Sequence, residues 1–332
     1  MGEFDLIARF FKRPVTRAAL GVGDDCALLN PAPGTQLAIS SDMLVQGRHF
    51  FADVDPRTLG HKSLAVNLSD LAACGAKPLA FTLALALPEV NERWLATFAD
   101  GLFALADTHG CELIGGDTTA GPLNICITVF GEVPVVHGQS QALLRSGAQA
   151  GDDLYISGTV GDARLALDAL LGKIDLPQEV LHKARLRQEM PTPRVALGLA
   201  LRGLATSAID VSDGLLGDLG HVLKASGVGA TVRTDDAIFS IAAYSDYKKA
   251  GCQFLINLSQ DQWRALALAG GDDYELLFTA PAYRRRAVET AALASQTPVR
   301  RIGQIDAQTG LRLLDAQGEA VANTFTSFDH FA

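Results

Sequence analysis

Apolar and polar positions alternate in blocks along the whole chain, and the period of the alternation changes from block to block. Residues 36–45 (QLAISSDMLV) form a β-rich run that carries Asp42 near its end. Asp55 is then placed as an N-cap, with Pro56 at the first position of a helix predicted to reach about Cys74 and to stop at Gly75. Leu64, Leu68, Leu71 and Ala72 give that helix an apolar stripe at 3.6-residue spacing, while Ser63, Asn67, Asp70 and Cys74 give it a second stripe of small, mostly polar residues. Leu79 to Leu87, bracketed by Pro78 and Pro88, reads as a buried strand. A second helix is signalled by Asn91 followed by Trp94, Leu95, Phe98, Leu102 and Leu105, with Gly110 placed to end it. Strands are predicted at 111–115 and 123–133.

Around Arg145 to Asp153 the chain turns polar and Gly-rich (RSGAQAGDD), and a domain boundary is expected near 147–150. Beyond it the alternation resumes, with a helix at 162–171, a strand at 205–210, a helix from about Ser212 carrying Leu215, Leu216, Leu219, Val222 and Leu223 on one face, and a strand at 274–280. The pattern is that of two successive α/β regions, which agrees with a length of 332 residues.

Composition narrows the function. With 28 Lys plus Arg against 37 Asp plus Glu, the net charge is -9, a balance that repels a nucleic-acid backbone. The acids are 27 Asp and 10 Glu, a skew toward the shorter carboxylate that favours turns, helix caps and hard-cation sites. The five cysteines, Cys26, Cys74, Cys111, Cys126 and Cys252, contain no C-x-x-C pair and fit a reducing cytoplasm. An acid stands where a signal peptide needs basic residues, and no uncharged apolar stretch approaches 18 residues, so neither secretion nor a membrane span is expected.

Missing motifs remove several enzyme classes. The chain has no G-x-x-x-x-G-K-[ST], no G-x-S-x-G, no H-E-x-x-H and no H-R-D loop, and Gly21-x-Gly23-x-x-Cys26 lacks the third glycine of a dinucleotide fingerprint. What recurs instead is Asp at Gly-rich corners and strand ends: Gly23-Asp24-Asp25, Ser40-Ser41-Asp42, Asp70, Gly115-Gly116-Asp117, Asp210-Val211-Ser212-Asp213-Gly214 and Gly270-Gly271-Asp272-Asp273. Any one of these is ordinary turn chemistry, but the carboxyl ends of strands in α/β sheets share one crevice, where several such corners would meet. If they converge, two carboxylates about 5 Å apart repel by about 3 kcal/mol at an effective dielectric of 20, and only cations hold such a cluster together. Oxygen-only ligands with nearby Ser hydroxyls suit Mg²⁺ bridging carboxylates and a substrate phosphate, hence phosphoryl transfer. The seven His residues stand apart from these corners. Gly115, Gly116 and Gly214 would let backbone N–H groups approach phosphate oxygens, the start of the helix near Ser212 offers a partial positive charge, and Arg145 is the fixed cation.

These residues match a family pattern. With Gly2-Glu3-Phe4, Gly21-Val22-Gly23-Asp24-Asp25-Cys26-Ala27, Asp42-Met43-Leu44-Val45, Gly47, His49-Phe50, Ala65-Val66-Asn67-Leu68-Ser69-Asp70-Leu71-Ala72-Ala73, Gly115-Gly116-Asp117-Thr118-Thr119, Arg145-Ser146-Gly147-Ala148, Ser212-Asp213-Gly214-Leu215 and Gly270-Gly271-Asp272-Asp273-Tyr274-Glu275-Leu276 in order, the chain resembles the thiamine-monophosphate kinase family over essentially its whole length. That resemblance implies a mixed α/β (α+β) fold of two domains, like aminoimidazole ribonucleotide synthetase. Residues 1–148 would be an ATP- and Mg-binding domain whose sheet builds a barrel with its counterpart in a homodimer. Residues 149–332 would be an α/β domain contributing metal and substrate contacts, with the site in a cleft between the two.

The resemblance further implies a cytoplasmic enzyme that phosphorylates thiamine monophosphate to thiamine diphosphate with ATP and several Mg²⁺ ions by direct in-line transfer. The acceptor oxygen already belongs to a phosphate anion, so no general base is expected. By position, Asp25, Ser40, Ser41, Asp42, Asp70, Asp117, Asp210 and Asp213 would be metal ligands, with Asp24 a further candidate. Gly116, Asp117, Arg145 and Ser212 would contact ATP, and His49, Asp272 and Phe328 would contact the acceptor. The chain departs from the family in reading Gly-Gly-Asp-Asp where Gly-Gly-Glu-Asp is usual, so Asp272 is one methylene shorter. Competing readings are another ATP-using synthetase of the same superfamily, a Ca²⁺-stabilised binding protein and a metal-dependent phosphohydrolase.

Overall fold

The computed structural model describes residues 2–238, 241–242, 244 and 256–328. The chain divides into two compact units: one of the residues up to Leu71 with Gly75–Ala142, the other of Ala72–Cys74 with the residues from Leu143 on.

The first unit opens with α1 (Glu3–Leu6), which runs into a π-helical turn, Ile7–Phe11. It continues through β1 (Ala18–Leu20), β2 (Leu28–Leu29), β3 (Thr35–Val45), α2 (Pro56–Ala73), β4 (Lys77–Leu87), α3 (Glu92–His109), β5 (Glu112–Ala120), β6 (Asn124–Val136) and β7 (Gln139–Ser140). The main sheet has the order β3-β6-β4-β5, with β7 pairing on β6. Its β3/β6 and β6/β4 ladders are antiparallel, whereas β4/β5 is parallel. The expected caps are in place. The Asp55 carboxylate accepts from the Arg57 N–H at 2.8 Å, Asn91 caps α3 by accepting from the Trp94 N–H, and Gly110 ends α3 at φ 57°. Where α2 meets α3 the backbones touch: a Cβ at Gly60 would collide with the Phe98 carbonyl, and one at Gly101 with the Arg57 carbonyl. Leu64, Leu68, Phe81, Phe98 and Leu102 are fully buried in this unit.

The other face of the sheet carries exposed apolar side chains at its β3 edge. Leu37, Ile39 and Met43 alternate along β3 and are exposed, Ile39 by 60%, and Ile39 lies opposite Phe130 of β6.

The second unit is built from β8 (Asp152–Ser157), α4 (Asp162–Leu170), α5 (Gln178–Glu189), α6 (Val195–Leu201), β9 (Ser207–Asp210), α7 (Leu215–Ser226), β10 (Gly229–Arg233), α8 (Thr234–Ile238), α9 (Gln260–Ala269), β11 (Leu276–Pro281), α10 (Arg285–Ala294), β12 (Val299–Asp306) and β13 (Gly310–Leu314). Its six-stranded sheet has the order β13-β10-β12-β8-β11-β9 and is antiparallel except for β10/β13. Every residue of β8 and β9 is buried, the polar Asp152, Asp153, Ser157, Ser207 and Asp210 included. Leu154, Ile156, Ile209, Leu219, Val222, Leu266 and Leu277 are among its core residues.

The mixed α/β architecture agrees with the sequence reading, but the strand directions change one argument drawn from it. A crevice shared by the carboxyl ends of parallel strands does not exist in sheets that are mostly antiparallel. Asp42 and Asp117 lie within β3 and β5, not at corners after them, and the helix expected from Ser212 starts at Leu215. Cys26, Cys74, Cys111 and Cys126 are free thiols, whereas Cys252 lies outside the described residues. Among the described residues no helix is long and apolar enough to cross a membrane.

Candidate active site

In the first unit the small polar stripe of α2 lies under β3 and fixes two of its residues. The buried Asn67 side chain donates to the Ser63 carbonyl at 3.0 Å and accepts the Asp42 N–H at 3.0 Å, while the Ser40 hydroxyl donates to the Asp70 carboxylate. Asp42 is thereby held against Asp70. Burial and then the Asp70 charge push the Asp42 carboxyl up to about 7. Two carboxyl groups pressed together in this way form, once both are ionised, a donor set suited to a hard divalent cation. Ser41, one residue along, follows the two-residue period of the strand onto the other face, where its hydroxyl pairs with that of Thr128 at 2.9 Å.

A second group of acids surrounds a cavity of about 620 Å³ whose lining includes Phe4, Asp24, Asp25, Gly115, Gly116 and Asp117. The β4/β5 register slips by one residue between Leu113 and Gly115, re-aiming the chain at Gly115 to Asp117. Gly116 sits at φ 145° with its backbone against the Leu83 carbonyl, so no other residue fits there. Asp42 and Asp117 belong to the two outer strands of the four-strand ladder, three strand spacings or roughly 14 Å apart along the sheet. Among the described residues no group of three or more His, Cys, Asp or Glu is drawn together. The acids of this unit therefore form two separate centres. His49 follows β3, and its Nδ1 accepts the Val45 N–H at 3.0 Å, which puts the proton of the neutral ring on Nε2.

In the second unit β9 ends at Asp210, and the chain passes through Val211 to Gly214 into α7. The N–H groups of Ser212, Asp213 and Gly214 all donate to Asp218 Oδ2, at 3.1, 3.2 and 3.2 Å. The expected phosphate cradle at Gly214 is thus filled by the chain's own carboxylate. Burial, then the Asp213 charge, push Asp218 up to about 7 against the pull of those three donors. The carbonyls of the same loop are taken as well: Val211 and Ser212 accept from the N–H groups of Tyr274 and Asp272 at 2.8 Å, and Asp213 accepts from that of Phe328 at 3.0 Å. Asp272 and Tyr274 hold positive φ, at 65° and 50°, and the Tyr274 hydroxyl donates to Asp272 at 3.2 Å. Ser212, Asp213, Asp272 and Phe328, far apart in sequence, are therefore neighbours. Arg145 is not among them. Its carbonyl accepts from Ser226, at the last residue of α7, about 18 Å along that helix from its start.

Behind the 272–274 turn stands Glu275, fully buried. It accepts from Arg187 at 2.7 Å, from Arg194 Nε at 2.6 Å and from the Ser157 hydroxyl. Burial works against the Arg194 charge, but its hydrogen bond and ion pair with Glu275 outweigh this and raise its pKa. Asp273, also buried, accepts twice from the Gly161 N–H, and burial raises its carboxyl well above the usual range. Sequence reasoning named neither Asp218 nor Glu275 as functional. Their signals were an acid in the first turn of a helix and one acid at the end of the Gly270–Leu276 motif.

The family model described as AIR synthase related protein, N-terminal domain, matches residues 23–133, and the corresponding C-terminal domain model matches residues 149–315. A thiamine-monophosphate kinase of Salmonella typhimurium is 45% identical over 337 residues, covering 100% of this chain and 98% of the relative. The crystal structure of the thiamine-monophosphate kinase from Stenotrophomonas maltophilia K279a is 44% identical and superposes with a TM-score of 0.81 over 96% of each chain. The structure of AaThiL complexed with AMPPCP and TMP is 26% identical, with a TM-score of 0.75 over 91% of this chain and 89% of that one.

Proposed function

Since the chain belongs to the AIR synthase related family and, within it, to the thiamine-monophosphate kinases, we propose that it transfers the γ-phosphoryl group of ATP to thiamine monophosphate, giving ADP and thiamine diphosphate. The observation that carries this reading is the Asp42–Asp70 contact, two carboxyl groups pressed together in a chain whose relatives are thiamine-monophosphate kinases. Mg²⁺, when bound, supplies the positive charge that offsets carboxylates and phosphates together. Ser40, Asp42 and Asp70 would hold one ion, and Asp24, Asp25 and Asp117 would face another; Asp210 and Asp213 of the second unit are further candidate ligands. Gly116, Asp117, Ser212 and Arg145 are the residues for ATP, and His49, Asp272 and Phe328 those for the acceptor. The protonated His49 Nε2 has the polarity to meet a phosphate oxygen, and Phe328 offers a face for a heteroaromatic ring. With Mg-ATP and thiamine monophosphate, chromatography is expected to find ADP and thiamine diphosphate. Equal turnover of free thiamine, which lacks the acceptor phosphate, or release of inorganic phosphate without an acceptor, rejects the assignment.

The functional unit in this reading is a cytoplasmic homodimer. Leu37, Ile39 and Met43 supply an exposed apolar stripe on one sheet face, and Asp42 and Asp117 lie on the two outer strands of the four-strand ladder. A second copy packed face to face closes the barrel and brings the β3 edge of one sheet to the β5 edge of the other. Ile39→Glu buries an unpaired charge in that interface and should weaken it by about 3 kcal/mol, roughly a hundredfold in dissociation constant. Sedimentation velocity reads the effect, and a variant that sediments and turns over like the parent removes the dimer from the mechanism.

A further inference from the structure

The loop between β9 and α7 is gripped from both sides. Its three successive N–H groups, from Ser212 to Gly214, converge on one oxygen of Asp218, whose residue is 3% exposed. Its carbonyls receive the N–H groups of Asp272, Tyr274 and Phe328. The loop has no room to adjust: a Cβ at Gly271 would stand 2.5 Å from the Ser212 carbonyl oxygen, and one at Gly214 would stand 2.9 Å from that of Ala269.

From this geometry we infer that Asp218 is a positioning residue for both substrates: by holding the Ser212–Gly214 backbone it fixes Ser212, on the ATP side, and the metal-ligand candidate Asp213 directly, and the acceptor-side residues Asp272 and Phe328 through the loop carbonyls. The inference rests on the kinase reading for the roles of those four residues. It also means that phosphate is met here by side chains, because the three loop N–H groups are already engaged. Asp218 touches neither substrate. Its removal leaves three backbone donors without their acceptor and frees a loop whose two faces serve different molecules, so both halves of the site should loosen together. A residue serving only one substrate would raise one KM and not the other.

The test compares Asp218→Ala, Asp218→Asn and, as a control for loss of stability alone, Thr234→Ala. Thr234 is buried at the start of α8, where its hydroxyl donates to the Leu314 carbonyl at 3.2 Å, remote from the loop in sequence and in the sheet. Asp218→Ala should lower kcat about a hundredfold, the cost of a roughly 1 Å misplacement at a transfer site, and raise the KM for ATP and for thiamine monophosphate together. Asp218→Asn retains an acceptor oxygen and should keep at least about a tenth of the activity, while Thr234→Ala should keep kcat within about twofold despite a lowered melting temperature. If Asp218→Ala does not fold, the Asn variant carries the comparison, with a doubling of both KM values expected and parent-like constants counting against the proposal.

Calorimetric binding of Mg-AMPPCP to the same variants gives a readout that needs no acceptor, and Asp218→Ala should weaken it at least tenfold. Parent-like kinetics and analogue affinity in Asp218→Ala, or an equal loss of kcat in Thr234→Ala, overturn the proposal. A parent protein that binds the analogue but does not phosphorylate thiamine monophosphate overturns the assigned reaction, and the binding series then decides the role of Asp218. A parent that does not bind the analogue overturns both.

Discussion

Asp42→Asn is expected to lower turnover of thiamine monophosphate by about a thousandfold, the scale of losing one preorganised electrostatic contact to a developing charge. The fold should survive. The Asp42 N–H keeps its bond to Asn67, and Ser40 keeps its bond to Asp70, because neither uses the Asp42 carboxylate. In metal-free protein the direction of the stability change follows from the raised pKa. The Asp42 carboxyl titrates near 7 when folded and near 3.8 when unfolded, so the unfolded chain releases its proton first as pH rises. Stability is then lost progressively from about pH 4 to about pH 7, and above that the parent carries the full cost of an ionised Asp42 beside Asp70. The Asn variant carries none of it. Scanning calorimetry at pH 8 in chelator should therefore find Asp42→Asn at least as heat-resistant as the parent, and added Mg²⁺ should stabilise the parent more. A variant that melts well below the parent, or that retains a tenth of its turnover, would show the Asp42–Asp70 pair to be structural.

The largest loss of stability is expected at Glu275. Its carboxylate is fully buried between Arg187 and Arg194, whose side chains are 20% and 15% exposed, and it also accepts from Ser157. Glu275→Gln keeps the shape and removes the charge, leaving two largely buried guanidinium groups without their counter-ion. Breaking a buried pair from one side costs about 3–5 kcal/mol, more than a favourable ion pair contributes in the intact protein, because the remaining charges stay desolvated. For a unit of this size that is a fall of roughly 10 °C in melting temperature. Urea unfolding measures it, and a difference below about 1 kcal/mol would mean that water reaches the arginines. The chain makes activity follow stability here, because Asp272 is three residues from Glu275 and is held at positive φ by the same segment.

The elements of the first unit were legible because their signals are local. Asp55-Pro56, Asn91 and Gly110 mark helix ends through bonds made within a few residues, and the Ser63, Asn67, Asp70 stripe announced a helix face with polar business. What it could not announce was the partner. Asp70 meets Ser40 thirty residues away and Asn67 meets the Asp42 backbone, contacts decided by how α2 lies on β3. Strand direction was likewise invisible: β3 pairs with β6 across some eighty residues, and reading Asp corners as the ends of parallel strands failed on that point. In the second unit Asp218 went unnamed because its three donors lie just upstream, in a loop that the sequence assigned to the helix. Glu275 showed no more than its place in a motif, since its guanidinium partners stand 81 and 88 residues away. Family resemblance supplied Asp272 and Phe328, and their closeness follows from backbone bonds that no side-chain pattern encodes.

Gly60 and Gly101 let the backbones of α2 and α3 touch, and that intimacy reaches far beyond the crossing. The same helix that leans on α3 through Gly60 carries Asn67 and Asp70 about two to three turns further along. A methyl group at either glycine would act as a wedge, and a rigid rod pried outward at one end swings at the other. Drift at two positions that touch no reactant would thus be felt as a misaligned carboxylate, and a search for inactivating changes should be read with hinge geometry in mind as much as chemistry.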